Sequence, residues 1–313
     1  MRIFVAGATG ALGQQLVPQL VAAGHQVTGM TRSESKVGML REMGAEPVVA
    51  DALDAEAVGA AVAAAEPEVV INQLTAISDD PDFRNPDKEF AETNRLRSEG
   101  TDILLSASIA AGAVRYVGQS FTGWPFDRVG GPVKDEDAPL TDDPPKGVVE
   151  MLAAIRHLES AVTGVEGIEG VVLRYGGFYG PNTALASDGS MAETVRKRKL
   201  PVVGKGAGVW SFINIADAAS GTVAAVDRGA PGIYAIVDDD PAPVSEWLPE
   251  LAEALGAKKP MRVPAFLGRI AAGPAAVVMM NEIRGASNAK AKRELGWKPT
   301  FSSWREGFAT GLS

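Results

Sequence analysis

The sequence predicts an α/β fold, a doubly wound parallel sheet with a smaller C-terminal lobe, on three observations. Short apolar runs alternate with stretches of helical periodicity from Ile3 to Tyr175, and a glycine-rich turn follows the first apolar run directly. After about Pro181 the pattern loosens, and glycine and proline punctuate it more often.

The strands are read in order. Ile3 to Ala6 comes first, followed by Gln26 to Met30, Pro47 to Ala50, Val69 to Leu74, Arg115 to Val117 and Gly170 to Tyr175. Runs that are apolar on both faces belong to a sheet covered on both sides, as parallel strands with right-handed crossovers require. The covering helices are Gly13 to Ala23, the alanine-rich Ala57 to Ala65, and Thr93 to Ala111, which carries Leu96, Ile103, Leu104, Ala107 and Ala110 at helical spacing. Residues 1–180 form the predicted sheet domain. Residues 181–313 form mostly the lobe, with Ser211 to Ile215 and Ile233 to Val237 returning to the sheet. The apolar stretch Pro264 to Met280 is broken by Arg269, Gly273 and Pro274, so it falls short of the roughly 20 apolar residues of a membrane span.

Composition narrows the partners. With 313 residues and 46% hydrophobic content the chain can bury a large core, and a net charge of -9 argues against nucleic acid. The basic run Arg196-Lys197-Arg198-Lys199 is read either as a solvated helix face or as a meeting point for an anionic ligand. There are no cysteines, and the N-terminus runs from Met1 straight into a buried strand without a signal peptide; a cytoplasmic address is expected. No metal site and no membrane contact are expected, and nothing in the sequence indicates an oligomer.

Gly7-Ala8-Thr9-Gly10-Ala11-Leu12-Gly13 lies between a strand and a helix, which makes it the phosphate loop of a Rossmann-type dinucleotide site. Gly7 permits the tight turn, Gly10 admits the pyrophosphate, and Gly13 lets the helix pack against the strand. Met30-Thr31-Arg32-Ser33 ends the second strand without the acidic side chain that an NAD ribose prefers. Arg32 suits a 2'-phosphate, with hydroxyls from Thr31 and Ser33, so NADP(H) is favoured over NAD(H); a surface arginine at a strand end is the alternative. Asp51 is read as an acceptor for the adenine amino group, or else as a cap, with Asp54, of the next helix. Ala52, Leu74 and Phe178 complete the expected cofactor contacts.

Together with Asn94 in Glu92-Thr93-Asn94, Arg174-Tyr175-Gly176-Gly177-Phe178-Tyr179-Gly180-Pro181, Phe212 to Asp217 and Lys290 to Pro299, these motifs carry a family resemblance. The chain resembles the extended short-chain dehydrogenase/reductase superfamily, and within it the NAD-dependent epimerase/dehydratase group. The resemblance implies a catalytic serine or threonine after the fifth strand, matched by Ser120 with Thr122 nearby. It also implies Tyr-x-x-x-Lys on the next helix, where the lysine cation lowers the tyrosine pKa. That helix is marked by Val148, Leu152, Ile155, Leu158 and Val162, with Glu159 matching a family glutamate; Met151 and Ile155 then fall on the Tyr and Lys positions. No tyrosine occurs between Ser120 and Arg174, so the resemblance is to an atypical member. Lys146, Tyr175 and Tyr179 are the candidate substitutes, each of which also reads as a surface lysine or packed aromatic. Trp210-Ser211 stands where epimerases acting on nucleotide sugars carry Arg-Asp, so Trp210 is expected to meet a flat or apolar substrate, as is Trp124, or else to be a core tryptophan.

Three functions remain in view. The first is an NADPH-dependent reductase of a small organic substrate, polarised by Ser120 with Thr122 or Tyr175. The second is a non-catalytic NAD(P)-binding sensor or scaffold, and the third a nucleotide-sugar epimerase or dehydratase, which would need the missing pair and arginine.

Overall fold

The computed structural model describes residues 1–78 and 85–313. Seven strands, β1 (Arg2–Ala6), β2 (Gln26–Thr31), β3 (Glu46–Val49), β4 (Val69–Asn72), β5 (Arg115–Phe121), β6 (Glu169–Tyr175) and β7 (Gly232–Ile236), form one sheet. Their order is β7-β6-β5-β4-β1-β2-β3, with every neighbouring pair parallel. The order reverses between β1 and β4, and a doubly wound sheet binds its ligand in the crevice at the carboxyl ends of the strands there.

Both faces are covered, as the apolar runs require. On one face α1 (Ala11–Ala22) contributes Leu12, Leu16, Val17 and Leu20, and α5 (Ile215–Ala225) contributes Ile215, Ala218 and Ala219 to a core with Ile3, Val5, Ile71 and Val117. On the other, α2 (Ala55–Ala65), α3 (Thr101–Ala110) and α4 (Val149–Thr163) bury Val58, Val62, Leu104, Leu158 and Val162 against Phe4, Val70 and Tyr116. Asp54, not Asp51, caps α2, accepting from the amides of Glu56 and Ala57 at 3.1 Å.

Three elements differ from the sequence expectation. The helix expected over Thr93 to Ala111 contains a π-turn at Leu96–Gly100, between a short helix Ala91–Arg95 and α3. β5 runs four residues beyond Val117, because its polar end is buried in a hydrogen-bond network rather than exposed. The segment Phe212–Asn214 does not enter the main sheet; it pairs in parallel with Gly177–Tyr179. Gly176 makes that divergence possible, since a Cβ there would lie 2.7 Å from the Ser211 carbonyl oxygen. Residues 232–236 do join the sheet, as its edge strand next to β6.

The remaining C-terminal elements pack around an aromatic core of Phe212, Trp247, Trp304 and Phe308. Pro264 to Met280 lies within a helix Ala265–Asn281 that kinks at Gly273, where φ is 83°. Among the described residues no helix is long and apolar enough to cross a membrane.

Candidate functional site

The glycine loop leaves the carboxyl end of β1 at the point where the strand order reverses. Gly7 has φ +82°, and a Cβ there would meet the Gln73 carbonyl oxygen at 2.5 Å, so only glycine fits. A Cβ on Gly13 would fall 2.4 Å from the Ala8 carbonyl oxygen, which fixes how tightly α1 sits on β1. Gly10 is different. It is exposed, and the nearest atom to a Cβ there is the Gly7 carbonyl oxygen at 3.4 Å. No side chain caps α1 at Gly10 and no acidic residue occupies its first turn, so the amides around Ala11 and Leu12 remain available to an anion.

The neighbouring strand ends converge on this loop. The buried Thr31 hydroxyl lies 3.3 Å from that of Thr9 and accepts from the Ser33 amide at 3.2 Å, tying the end of β2 to the glycine turn. The Ser33 hydroxyl is 2.8 Å from that of Ser35. Arg32 projects outwards and pairs with Glu92, both side chains being more than half exposed. Asp51 is exposed and accepts from the Leu53 amide, while Ala52 is buried beneath it. Leu74 is half-buried, its amide donating to Asn72 Oδ1, and Phe178 packs 5.4 Å from the Tyr175 ring.

The candidate catalytic residues are neighbours at the ends of β5 and β6, where the Thr122 amide donates to the Tyr175 carbonyl at 3.0 Å, but the Ser120 and Tyr175 side chains lie on opposite faces of the sheet. Ser120 is 2% exposed and donates its hydroxyl to Glu159 Oε1 at 2.7 Å. Glu159 is also gripped by Arg174, through Nε at 2.8 Å and Nη2 at 2.7 Å, and Arg174 in turn donates to the Glu136 carbonyl. Ser120 and Arg174 face each other in the β5–β6 register, so both point to the α4 side. In this arrangement the Ser120 hydroxyl donates to a buried carboxylate and ties α4 to the sheet.

Tyr175 is engaged on the opposite face of the sheet. It is buried under α5, with its hydroxyl 2.6 Å from that of Thr222 and accepting from Gln73 at 3.3 Å. Burial pushes its pKa well above the ordinary value, the opposite of what a proton shuttle needs. Tyr179 is enclosed by Phe301, Phe308 and Gly307 in the C-terminal core, and burial raises its pKa too. Lys146 is exposed in the turn before α4. The basic run is tied to its surroundings, with Lys197 paired to Glu193, Arg196 bound to the Ser187 carbonyl and Arg198 to that of Lys259.

The face of α4 that carries Met151 and Ile155 is apolar. Ile155 is 1% exposed and Met151 half-buried, in a cluster with Trp124, Leu152, Phe121, Val278 and Ile283. Trp210 also borders this cluster; its indole donates to the Met279 carbonyl, and its ring stacks on Phe212 at 6.0 Å. Phe121, at the very end of β5, lies in the same cluster, and it was not singled out from sequence because it reads as an ordinary strand residue.

A second group, only partly visible in sequence, is polar. The side-chain oxygens of Thr122 and Gln73 and both polar atoms of Asn94 are buried without hydrogen-bond partners among the described residues. Gln73 follows β4 and Thr122 follows β5, so these groups lie at the carboxyl edge that also carries the glycine loop. Native interiors rarely leave such atoms unpaired, and a bound polar ligand is the usual remedy. The uncapped α1, the open space at Gly10 and the unpaired Gln73 and Thr122 oxygens together fit a dinucleotide. Its pyrophosphate would rest on the amides of α1, and its nicotinamide end would reach the β4 and β5 ends.

Comparison with known proteins agrees with this arrangement. The model of the NAD dependent epimerase/dehydratase family matches residues 3–236. A Streptomyces protein named 3-diazoavenalumate denitrifying reductase is 46% identical over 98% of this chain and 99% of its own length. A Stigmatella aurantiaca 4-hydroxy-2-methyl-3-oxo-4-farnesyl-3,4-dihydroquinoline-1-oxide ketoreductase is 28% identical over 95% of this chain and 92% of its own. Among solved structures, UDP-glucose 4-epimerase of Thermotoga maritima superimposes with a TM-score of 0.78 at 22% identity, covering 100% of this chain and 97% of that one. That likeness shows the fold.

Proposed function

The chain belongs to the NAD dependent epimerase/dehydratase family, and from that premise we propose that it is an NADPH-dependent reductase whose reaction is the reductive denitrification of a diazo-substituted aryl acid. The observation that carries this reading is the apolar face of α4. Met151 and Ile155 offer no proton and no cation, and the Ser120 hydroxyl is held by Glu159.

A carbonyl reduction must deliver a proton to the developing alkoxide, which is what a Tyr and Lys pair does. Replacement of a diazonium group makes no such demand. A bound nicotinamide supplies hydride. The new C–H bond takes the hydride electron pair, the C–N bond breaks, its pair leaves with dinitrogen, and atoms and charge balance without an acid. What remains for the chain is to orient the ring, exclude water and stay chemically inert, and Phe121, Trp124, Met151 and Trp210 supply flat, apolar contacts for that. The named substrate of the Streptomyces relative is a diazo compound and an acid anion, which supports both parts of the proposal.

NADPH is proposed as the donor because β2 ends in Thr31-Arg32-Ser33 with no acidic residue, and because the Arg32 guanidinium is exposed and held only by Glu92 among the described residues. The buried, unpaired Thr122 hydroxyl favours one second reading, a ketoreductase with Thr122 as donor.

Incubation with a diazotised 3-amino-4-hydroxybenzoate and NADPH carrying deuterium at C4 tests the choice. The expected result is one dinitrogen released per NADPH consumed, deuterium on the carbon that lost nitrogen, and a rate flat between about pH 6 and 9. Ketone turnover that is lost in Thr122→Val, with no release of nitrogen, establishes the second reading instead.

A further inference from the structure

Arg97 is 8% exposed and has no hydrogen bond or ion pair among the described residues, and its Nη1 is fully buried. Burial lowers its pKa to about 10, and no carboxylate among the described residues is paired with it. It stays cationic at neutral pH all the same. An uncompensated buried cation is costly, so proteins keep one where a ligand completes it.

Contacts on both sides locate it. The Thr93 hydroxyl accepts from the Ala76 amide, and the Thr101 hydroxyl accepts from Asn72 Nδ2, so the segment between them lies along the carboxyl end of β4. On the other side Asp87 accepts from the amides of Val149 and Met151, and Asp102 pairs with His157 at 2.8 Å. Arg97 falls between these anchors in the chain, on a turn that packs against α4. It sits on the π-turn Leu96–Gly100, a local distortion that often marks a functional site, three residues after the unpaired Asn94.

We propose that Arg97 is the residue that receives the carboxylate of the substrate, holding the acid end while the ring lies on the apolar cluster. The proposal rests on the reading of the substrate as an aryl acid. A guanidinium presents two parallel N–H donors to a carboxylate, and Asn94 adds an amide donor from the same stretch of helix. The cation missing from position 155 is thus replaced in charge by one from a different helix, and its role differs, since it binds the substrate and does not tune a tyrosine.

The test is binding in the absence of turnover. Benzoate, phenylacetate and 3-phenylpropionate, each with its neutral amide, are titrated by calorimetry into the protein loaded with NADP⁺. Wild type is expected to bind at least one acid about tenfold or more tighter than its amide, as a charge-assisted bidentate contact implies, and Arg97→Gln to lose that preference while keeping its affinity for the amide. Arg97→Lys should recover part of it. In thermal unfolding, the preferred acid should raise the melting temperature of wild type and not of Arg97→Gln. Equal binding of acid and amide by wild type, or equal loss of both in Arg97→Gln, overturns the proposal. The denitrification reading fails separately, when acids bind through Arg97 and no diazo substrate releases nitrogen.

Discussion

Ser120 and Glu159, 39 residues apart in sequence, are joined by a 2.7 Å hydrogen bond inside the protein, and Arg174 holds the same carboxylate from its other side. Ser120→Ala therefore removes one bond to a carboxylate that keeps both arginine contacts. The expected cost in urea unfolding is about 1–3 kcal/mol, with kcat for the diazo acid within about threefold of wild type. Arg174→Met leaves Glu159 buried without its cation, and is expected to cost about 3–5 kcal/mol. A loss of kcat of a hundredfold or more in a stable Ser120→Ala protein would return the serine to a catalytic role.

Gly10 and Gly13 predict opposite failures. Around Gly10 the nearest obstacle to a Cβ is at 3.4 Å, so Gly10→Val should keep the circular dichroism and melting temperature of wild type while losing NADPH binding. At Gly13 the obstacle is backbone at 2.4 Å, so Gly13→Val should destabilise the fold itself. Tight NADPH binding by Gly10→Val would mean that the loop does not hold the pyrophosphate.

The Arg32 and Glu92 pair bears on cofactor choice. NADPH is expected to bind at least about tenfold tighter than NADH, a gap of about 1.4 kcal/mol, and Arg32→Ala should erase the difference. Glu92→Gln frees Arg32 from its present partner, and should strengthen NADPH binding without changing that of NADH. Fluorescence titration of both cofactors against the three proteins decides it.

Asp238, 1% exposed, predicts a pH dependence of stability. Burial raises its pKa to about 8, against backbone hydrogen bonding from Asp240 and Trp304 that lowers it, and its Oδ2 has no partner among the described residues. The unfolded chain releases this proton near pH 3.9. A raised folded pKa is a stabilising contribution that is complete below about pH 4, and it is lost as pH climbs to about 8. Asp238→Asn keeps an acceptor for Asp240 and carries no charge. Urea midpoints should show it more stable than wild type at pH 8, by several kcal/mol at most, and nearly equal to wild type at pH 4. Equal midpoints at pH 8 would mean that Asp238 is solvated.

The order of strands and helices and the glycine loop were legible because each is written within a few consecutive residues. Apolar runs of strand length, helical spacing, and glycines where the backbone needs φ +82° at Gly7 or the 2.4 Å approach at Gly13 are local demands. What Ser120, Tyr175 and Arg97 do is not local. Ser120 meets a carboxylate 39 residues away, and Tyr175 meets a glutamine 102 residues away, so their roles depend on strand register and on which helix covers which face. Arg97 looks like any exposed helical arginine in sequence, and only the packing of its π-turn against α4 leaves it buried and without a partner among the described residues. Consecutive residues dictate the dinucleotide fold and the apolar face of α4, because both depend on local spacing; long-range packing dictates which polar groups are already satisfied, and so which are left for a ligand.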